Sequence, residues 1–225
     1  MFGKKRQTER KLMTHEEPKS SIAEQYRNIR TNIQFTAVDS DIRSIVVTSS
    51  NAGEGKTTTI GNLAVVFGQQ GKRVLVIDAD LRKPQLHEMF QVQTQVGLSK
   101  VLSGQATLEQ GIKKTNIESI SVLTSGPIPP NPAELLTFRA MDELLEQAYK
   151  MFDIVLIDTP PVLLVADAQI VANKCDGTIL VARSEVTEKA KLIKAKQLLD
   201  NTSSKILGVI LNDKKDTGAG YGYYA

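Results

Sequence analysis

Short apolar runs rich in β-branched residues recur along this chain of 225 residues, separated by polar or glycine-containing stretches. Arg43–Ser49, Arg73–Ile77, Ile120–Leu123, Ile154–Ile157, Thr178–Val181 and Ile206–Leu211 are largely continuous in hydrophobicity, as strands buried on both faces are. Stretches with helical character lie between most of them, including Thr57–Gln70, Phe138–Lys150 and Thr187–Asp200. Buried strands alternating with helices predict an α/β fold with a mainly parallel sheet flanked by helices. Nearer the start, Ile22, Tyr26, Ile29 and Ile33 recur at helical spacing. Ser21-Ile22-Ala23-Glu24 has the form of a capping box, so a helix is expected from Ser21 to about Phe35. Gly126–Pro132 holds four prolines and is expected to be a stiff loop before a helix starting near Ala133.

These elements divide the chain into a basic flexible arm over 1–20, a folded domain over 21–212 and a mobile tail over 213–225. The arm carries Lys4, Lys5, Arg6, Arg10 and Lys11 against Glu9. It reads as a solvated segment, or as a weak attraction to an anionic surface worth at most ~1 kcal/mol per basic residue. The net charge of +3 is too small to argue for a nucleic-acid partner, and none is expected. The single cysteine, Cys175, excludes an intramolecular disulfide and a cysteine-only metal cluster, and fits a reducing compartment. No apolar run approaches the roughly 20 residues that span a bilayer. A soluble chain is expected, reaching a membrane only through a partner or a surface patch.

The stretch Ser50-Asn51-Ala52-Gly53-Glu54-Gly55-Lys56-Thr57 follows a predicted strand and precedes a predicted helix. It fits the phosphate-loop pattern except at its first position, where Ser50 replaces glycine. Glycines let backbone N–H groups curl around phosphate oxygens, and the helix N-terminus adds a positive dipole end. The cradle for a nucleoside triphosphate, ATP, is therefore expected over residues 50–57, extended to Thr58. Lys56 should reach the β- and γ-phosphates, and the Thr57 hydroxyl should bind Mg²⁺.

Two apolar strands end in acid. Val74–Ile77 leads into Asp78 and Asp80, and Ile154–Ile157 leads into Asp158. Ligands of open α/β sheets sit beyond such strand ends, and an apolar strand ending in Asp beside a phosphate loop organises Mg²⁺. Asp158 is expected to serve the metal, and Asp78 and Asp80 the metal and the nucleophile. A water acceptor would make an ATPase. A hydroxyl acceptor would make a kinase and needs a carboxylate within reach of its proton, for which Asp80 is the candidate. The blander alternative is that Asp80 only caps the following loop.

With both acidic strands placed, the chain resembles the bacterial tyrosine kinases of capsule and exopolysaccharide gene clusters. The likeness runs from about Glu17 to Ala225. It is carried by Ser50–Thr57, VLVIDADLRKP at Val74–Pro84, SGPIPPNPAELL at Ser125–Leu136 and IVLIDTPP at Ile154–Pro161. These are phosphate-loop enzymes, related in fold to the partition and division-site ATPases. The resemblance implies ATP-dependent tyrosine phosphorylation, with Mg²⁺ held by Thr57, Asp78 and Asp158. Lys56 would neutralise the transferred phosphoryl group and Asp80 would accept the tyrosine proton. Arg82 would steady phosphate or acceptor, or else form a salt bridge, and Asn212 would touch the adenine.

The family likeness extends to two further segments. Glu24, Arg27 and Arg30 form an E-x-x-R-x-x-R series on one helix face, which implies packing against a neighbouring subunit in a homo-oligomeric ring. On the residues alone, a solvated charged face is the alternative. Tyr221, Tyr223 and Tyr224 crowd the last five residues and resemble an autophosphorylation cluster, the alternative being a docking tail. The resemblance also implies a transmembrane adaptor of the polysaccharide co-polymerase type that activates the kinase through a cytoplasmic segment. It adds protein tyrosine substrates, a cognate tyrosine phosphatase, and a place at the inner face of the cell membrane. No H-R-D, D-F-G or G-x-G-x-x-G motif is present, so any kinase activity must come from the phosphate loop.

Rival readings remain open at this point. A partition or division-site ATPase carries a second lysine early in its loop, where Asn51 stands here. A metal-cluster carrier needs paired cysteines. An ATP-gated scaffold would bind nucleotide without transferring phosphate.

Overall fold

The computed structural model describes residues 12–36 and 41–215. Seven strands form one sheet among them: β1 (Ser44–Ser49), β2 (Val74–Asp78), β3 (Ile112–Lys114), β4 (Ile120–Leu123), β5 (Ile154–Asp158), β6 (Gly177–Arg183) and β7 (Lys205–Asn212). Their order is β3-β4-β2-β5-β1-β6-β7. All pairings are parallel except β3 with β4. The helices are α1 (Met13–Glu16), α2 (Ser21–Thr36), α3 (Lys56–Gly68), α4 (Leu86–Met89), α5 (Leu98–Leu102), α6 (Leu108–Gly111), α7 (Pro132–Thr137), α8 (Arg139–Met151), α9 (Asp167–Ala172) and α10 (Lys189–Asp200).

Helices covering both faces of the sheet explain the continuous apolar runs of β1, β2, β5 and β6, but the run expected to be buried at Ile206–Leu211 forms the edge strand β7, where Val209 and Leu211 are exposed. All six residues of β1 are buried. Because successive strand residues point to opposite faces, Ile45 and Val47 pack with α2 and α3 in one core. Val46 points the other way and packs with α7 and α8 in a second. Strands β2, β5 and β1 are neighbours; β2 and β5 end level, with Asp78 opposite Asp158, and β1 runs on past Val47, which lies opposite Asp158, to Ser49. Three chain segments far apart in sequence therefore deliver their C-terminal residues to one spot. Parallel order sets this geometry, since it puts the ends of neighbouring strands on the same edge of the sheet.

Several expectations need correction. The helix over 21–36 is capped by Ser20, whose Oγ accepts from the Ala23 N–H at 3.2 Å. No Ser21–Glu24 capping box is present, and Glu24 pairs with Arg27 instead. Its buried positions are Ala23, Tyr26 and Ile33, with Ile29 packed beside them, whereas Ile22 is exposed. Within residues 12–20, expected as part of a flexible arm, Leu12 and Thr14 are buried against the domain while residues 15–19 are exposed. Thr14 of α1 is fully buried, and its N–H and Oγ each donate to Asn62 Oδ1 of α3 at 2.9 Å. The edge strand β3 and the short helices α4, α5, α6 and α9 have no counterpart among the expected elements. The tail from residue 216 onward, with Tyr221, Tyr223 and Tyr224, lies outside the described residues, as does 1–11.

Thr14→Val keeps the side-chain shape and removes one buried donor from Asn62. It should lower stability by about 1 kcal/mol, the usual net worth of such a bond, read as a lower urea midpoint. An unchanged midpoint would mean that this segment does not hold to α3.

Candidate active site

The loop from Ser50 to Gly55 leaves β1 and turns into α3. Gly53 and Gly55 both adopt positive φ, +80° and +95°. At Gly55 the lack of a side chain is required twice over, since a Cβ there would lie 1.9 Å from Asn212 Nδ2. Asn212, the last residue of β7, donates to the Glu54 carbonyl at 3.1 Å. The predicted cradle thus exists as a loop, held against the end of β7.

Lys56 opens α3 and is almost fully buried. Its Nζ lies 3.0 Å from Asp80 Oδ2 and 3.6 Å from Asp158 Oδ1. The Thr57 hydroxyl donates to Asp158 Oδ2 at 2.6 Å. Asp80 Oδ1 accepts from the Lys83 N–H at 3.0 Å. Asp78 Oδ2 accepts from the N–H groups of Gln85 and Leu86, each at 3.0 Å, so this carboxylate also caps α4. The structure therefore brings together Lys56, Thr57, Asp78, Asp80 and Asp158, all five of them site residues expected from the sequence. Asp80 does contact the loop that follows it, as the blander alternative held, but its other oxygen faces Lys56.

Three carboxylates share this space with a single ammonium group. Burial raises the Asp78 carboxyl, the nearby charge of Asp158 raises it further, and the N–H bonds from Leu86 and Gln85 oppose both; the result is about 7. Burial likewise raises Asp158, against the pull of Lys56. Lys56 is lowered by burial, but Asp158 and Asp80 outweigh that, and it stays firmly protonated. Buried and without a hydrogen-bond partner are Asp78 Oδ1, Asp158 Oδ1 and Ser50 Oγ, with only the more distant Lys56 ammonium facing Asp158 Oδ1. Unpaired buried oxygens beside a surplus of negative charge fit a divalent cation, and an N–H-lined loop with a buried lysine fits phosphate. Among the described residues no group of three or more His, Cys, Asp or Glu side chains is arranged to hold a metal by itself. That agrees with Mg²⁺ chemistry, in which one or two carboxylates are joined by phosphate oxygens and water.

Other expected residues lie outside this cluster. Arg82 forms a two-pronged salt bridge to Asp167 at 2.9 and 3.1 Å. Asp167 is fully buried at the start of α9, so of the two expected roles Arg82 takes the salt bridge, to a different loop. Glu24 and Arg27 pair with each other at 2.8 Å on the surface of α2. Arg30 reaches inward to the Val66 carbonyl of α3 at 2.8 Å, so it does not simply join Glu24 and Arg27 as part of a free charged face. Two residues had gone unnoticed as part of the site: Asp167, the partner of Arg82, and Thr187, whose hydroxyl donates to Glu54 of the phosphate loop at 2.6 Å. Their partners lie far away along the chain, and nothing in their local pattern marks them.

A family model described as an AAA domain matches residues 42–190. Tyrosine-protein kinase YwqD of Bacillus subtilis is 52% identical over 217 residues, covering 96% of this chain and 92% of that protein. The chain belongs to the bacterial tyrosine-protein kinases. The kinase domain of Escherichia coli tyrosine kinase ETK superposes with a TM-score of 0.87 at 34% identity, covering 95% of this chain and 85% of that one. The septum site-determining protein MinD of Pyrococcus horikoshii, solved with Mg-ADP, shares the fold at a TM-score of 0.65 and 30% identity, over 75% of this chain and 69% of that one. The kinase is thus a protein-tyrosine kinase on the α/β phosphate-loop fold that division-site ATPases also use. No helix among its described residues is long and apolar enough to cross a membrane.

The raised Asp78 carboxyl gives this kinase a pH signature. Below about pH 4, near the ordinary Asp value, folded and unfolded chains both hold the proton. Between there and about 7 the unfolded chain releases it while the folded one keeps it, so this group's contribution to stability falls as pH rises through that window and is level above it. Asp78→Asn, which still accepts the two N–H bonds, should flatten the fall. Urea midpoints of the nucleotide-free protein at pH 5 and pH 8 should differ less in the variant than in the parent; equal differences would place the proton elsewhere.

Proposed function

We propose that this kinase transfers the γ-phosphoryl group of ATP, with Mg²⁺, to tyrosine hydroxyls, first of all those of Tyr221, Tyr223 and Tyr224 in a second copy of the chain. The observation that carries the reading is the placement of Lys56 Nζ between Asp80 and Asp158, with the Thr57 hydroxyl on Asp158. When bound, Mg-ATP supplies the phosphoryl group and the positive charge that balances the acids. The loop N–H groups and the start of α3 would bind phosphate, and Thr57, Asp78 and Asp158 would hold the metal, some of them through water. Lys56 turns from the carboxylates toward phosphate, which leaves Asp80 Oδ2 free to accept the tyrosine proton. The new bond joins tyrosine oxygen to phosphorus, the old phosphorus–oxygen bond leaves with ADP, and the proton goes to Asp80. Such transfer asks mainly for positioning and charge stabilisation. The adenine fits beside Asn212, at the mouth of the loop.

The same reading extends to the cell. The family likeness supports a role in regulating capsule or exopolysaccharide synthesis or export. It supports an activating transmembrane adaptor that keeps the kinase at the inner face of the membrane, and a cognate tyrosine phosphatase that resets it. Glu24 and Arg27, at the surface of α2, would meet a neighbouring subunit and help close a ring, with Arg30 bracing that helix on α3. Each phosphotyrosine adds roughly −1.5 to −2 charge. Three on every tail would repel one another and loosen the ring.

Incubating the full chain with Mg-ATP and the adaptor's cytoplasmic segment should put phosphate on the tail tyrosines, mapped by peptide mass spectrometry. Lys56→Met should abolish it. Tight ATP binding with no phosphotyrosine would overturn the reading in favour of an ATPase or a nucleotide-gated scaffold. The fully phosphorylated chain should also run at a smaller oligomeric mass than the unphosphorylated one; equal masses would refute the loosening.

A further inference from the structure

Glu54 occupies a variable position of the phosphate loop, yet its side chain is buried, with 3% of its surface exposed. A carboxylate beside a phosphate cradle is a liability, since it repels the anion the loop must bind. Burying it costs more still unless its oxygens are satisfied. Here both are. Oε2 accepts from the Asn51 N–H at 3.0 Å, closing the loop on itself. Oε1 accepts from the Thr187 hydroxyl at 2.6 Å. Thr187 lies between β6 and α10, and its Oγ also accepts from the Arg183 N–H at 2.8 Å. With its oxygen accepting from Arg183, the hydroxyl gives its own proton to Glu54.

The attachment continues on both sides. Asn212 donates to the Glu54 carbonyl at 3.1 Å and rests on Gly55. The Ser184 N–H donates to the Asn212 carbonyl at 2.8 Å, and Arg183 pairs with Asp213 at 2.7 Å. The segment after β6 and the end of β7 thus form one hydrogen-bonded unit, and Glu54 is the point where it grips the phosphate loop.

We infer that Glu54 and Thr187 are a positioning pair for the nucleotide: Thr187 fixes the Glu54 carboxylate, and Glu54 holds the phosphate loop in the shape that receives a nucleoside di- or triphosphate. This rests on the loop being the nucleotide site. Neither side chain touches the reacting atoms in this role, and both act through the loop's backbone.

Charge and positioning predict opposite signs for one variant. If Glu54 were only a negative charge near the phosphates, Glu54→Gln would tighten nucleotide binding. If it positions the loop through two charge-assisted bonds, Glu54→Gln weakens it. Thr187→Val, which keeps the shape and loses the hydroxyl, should raise the dissociation constant about tenfold, the effect of losing one such bond. Thr187→Ser, which keeps the hydroxyl, should stay within about twofold of the parent. The probe is fluorescently labelled ADP with Mg²⁺, titrated into the full chain, with kcat and KM for ATP measured alongside. A rise in KM with little change in kcat marks loss of nucleotide positioning. Parent-like binding by Thr187→Val, equal loss in the Val and Ser variants, or tighter binding by Glu54→Gln would each overturn the inference. A Thr187→Val chain that does not fold leaves the sign of the Glu54→Gln effect to decide. A parent chain that fails to bind the labelled ADP would refute the nucleotide reading itself, and the inference with it.

Discussion

Three buried carboxylates facing one buried ammonium group set the terms for the whole site. Asp78, Asp80 and Asp158 are each no more than 4% exposed, and Lys56 is the cation set among them. Such a cluster cannot carry its full formal charge away from water without a large penalty. It must keep a proton, as the raised Asp78 carboxyl indicates, or take up a cation. The sheet exists in the form that creates this imbalance. β2, β5 and β1 are adjacent and parallel, β2 and β5 end level at Asp78 and Asp158, and each of the three ends its apolar run where the polar site begins. The hydrophobic cores on both faces hold those strands rigid enough for the acids to be kept close.

The phosphate loop is fixed by a different set of contacts. Its own sequence supplies the glycines and the lysine, but its shape is maintained from the opposite half of the sheet, by Asn212 on β7 and Thr187 after β6. Acids on one side and hydrogen-bonding props on the other leave the loop between two independent supports. The Arg82–Asp167 bridge does similar work for the segment carrying Asp80, tying it to the start of α9. Breaking one partner of that bridge would leave Asp167, fully buried, without its cation.

What was legible in the sequence follows from the range of the interaction involved. Strand positions read correctly to within one or two residues because each is an apolar run, as Ile154–Ile157 is before Asp158, though burial on both faces did not hold for the edge strand β7. The site acids were legible for the same reason, and the loop because its glycines and lysine sit at fixed spacing. The strand β3 was not, since Ile112-Lys113-Lys114 is too short and too polar to carry a pattern and is a strand only through pairing with β4. The cap of α2 missed by one residue because Ser20 and Ser21 are chemically equal until the chain's path chooses between them. Thr14 with Asn62, Arg82 with Asp167 and Glu54 with Thr187 lie 48, 85 and 133 residues apart, and a pair so separated leaves no trace in a local window.

The contact between Lys56 and Asp80 bears on how activity is restrained. Lys56 Nζ lies 3.0 Å from Asp80 Oδ2, so in this arrangement that oxygen is engaged by a cation. The same lysine is the group best placed to answer a phosphate. On the proposed function, one side chain therefore links the two requirements: while it faces the acids Asp80 Oδ2 is engaged, and once it faced phosphate that oxygen would be open. On that reading a tyrosine arriving before nucleotide would meet an engaged carboxylate, and one arriving after would meet a free one. The fold needs no additional moving element for this ordering, because it follows from a single cation shared between two sets of anions.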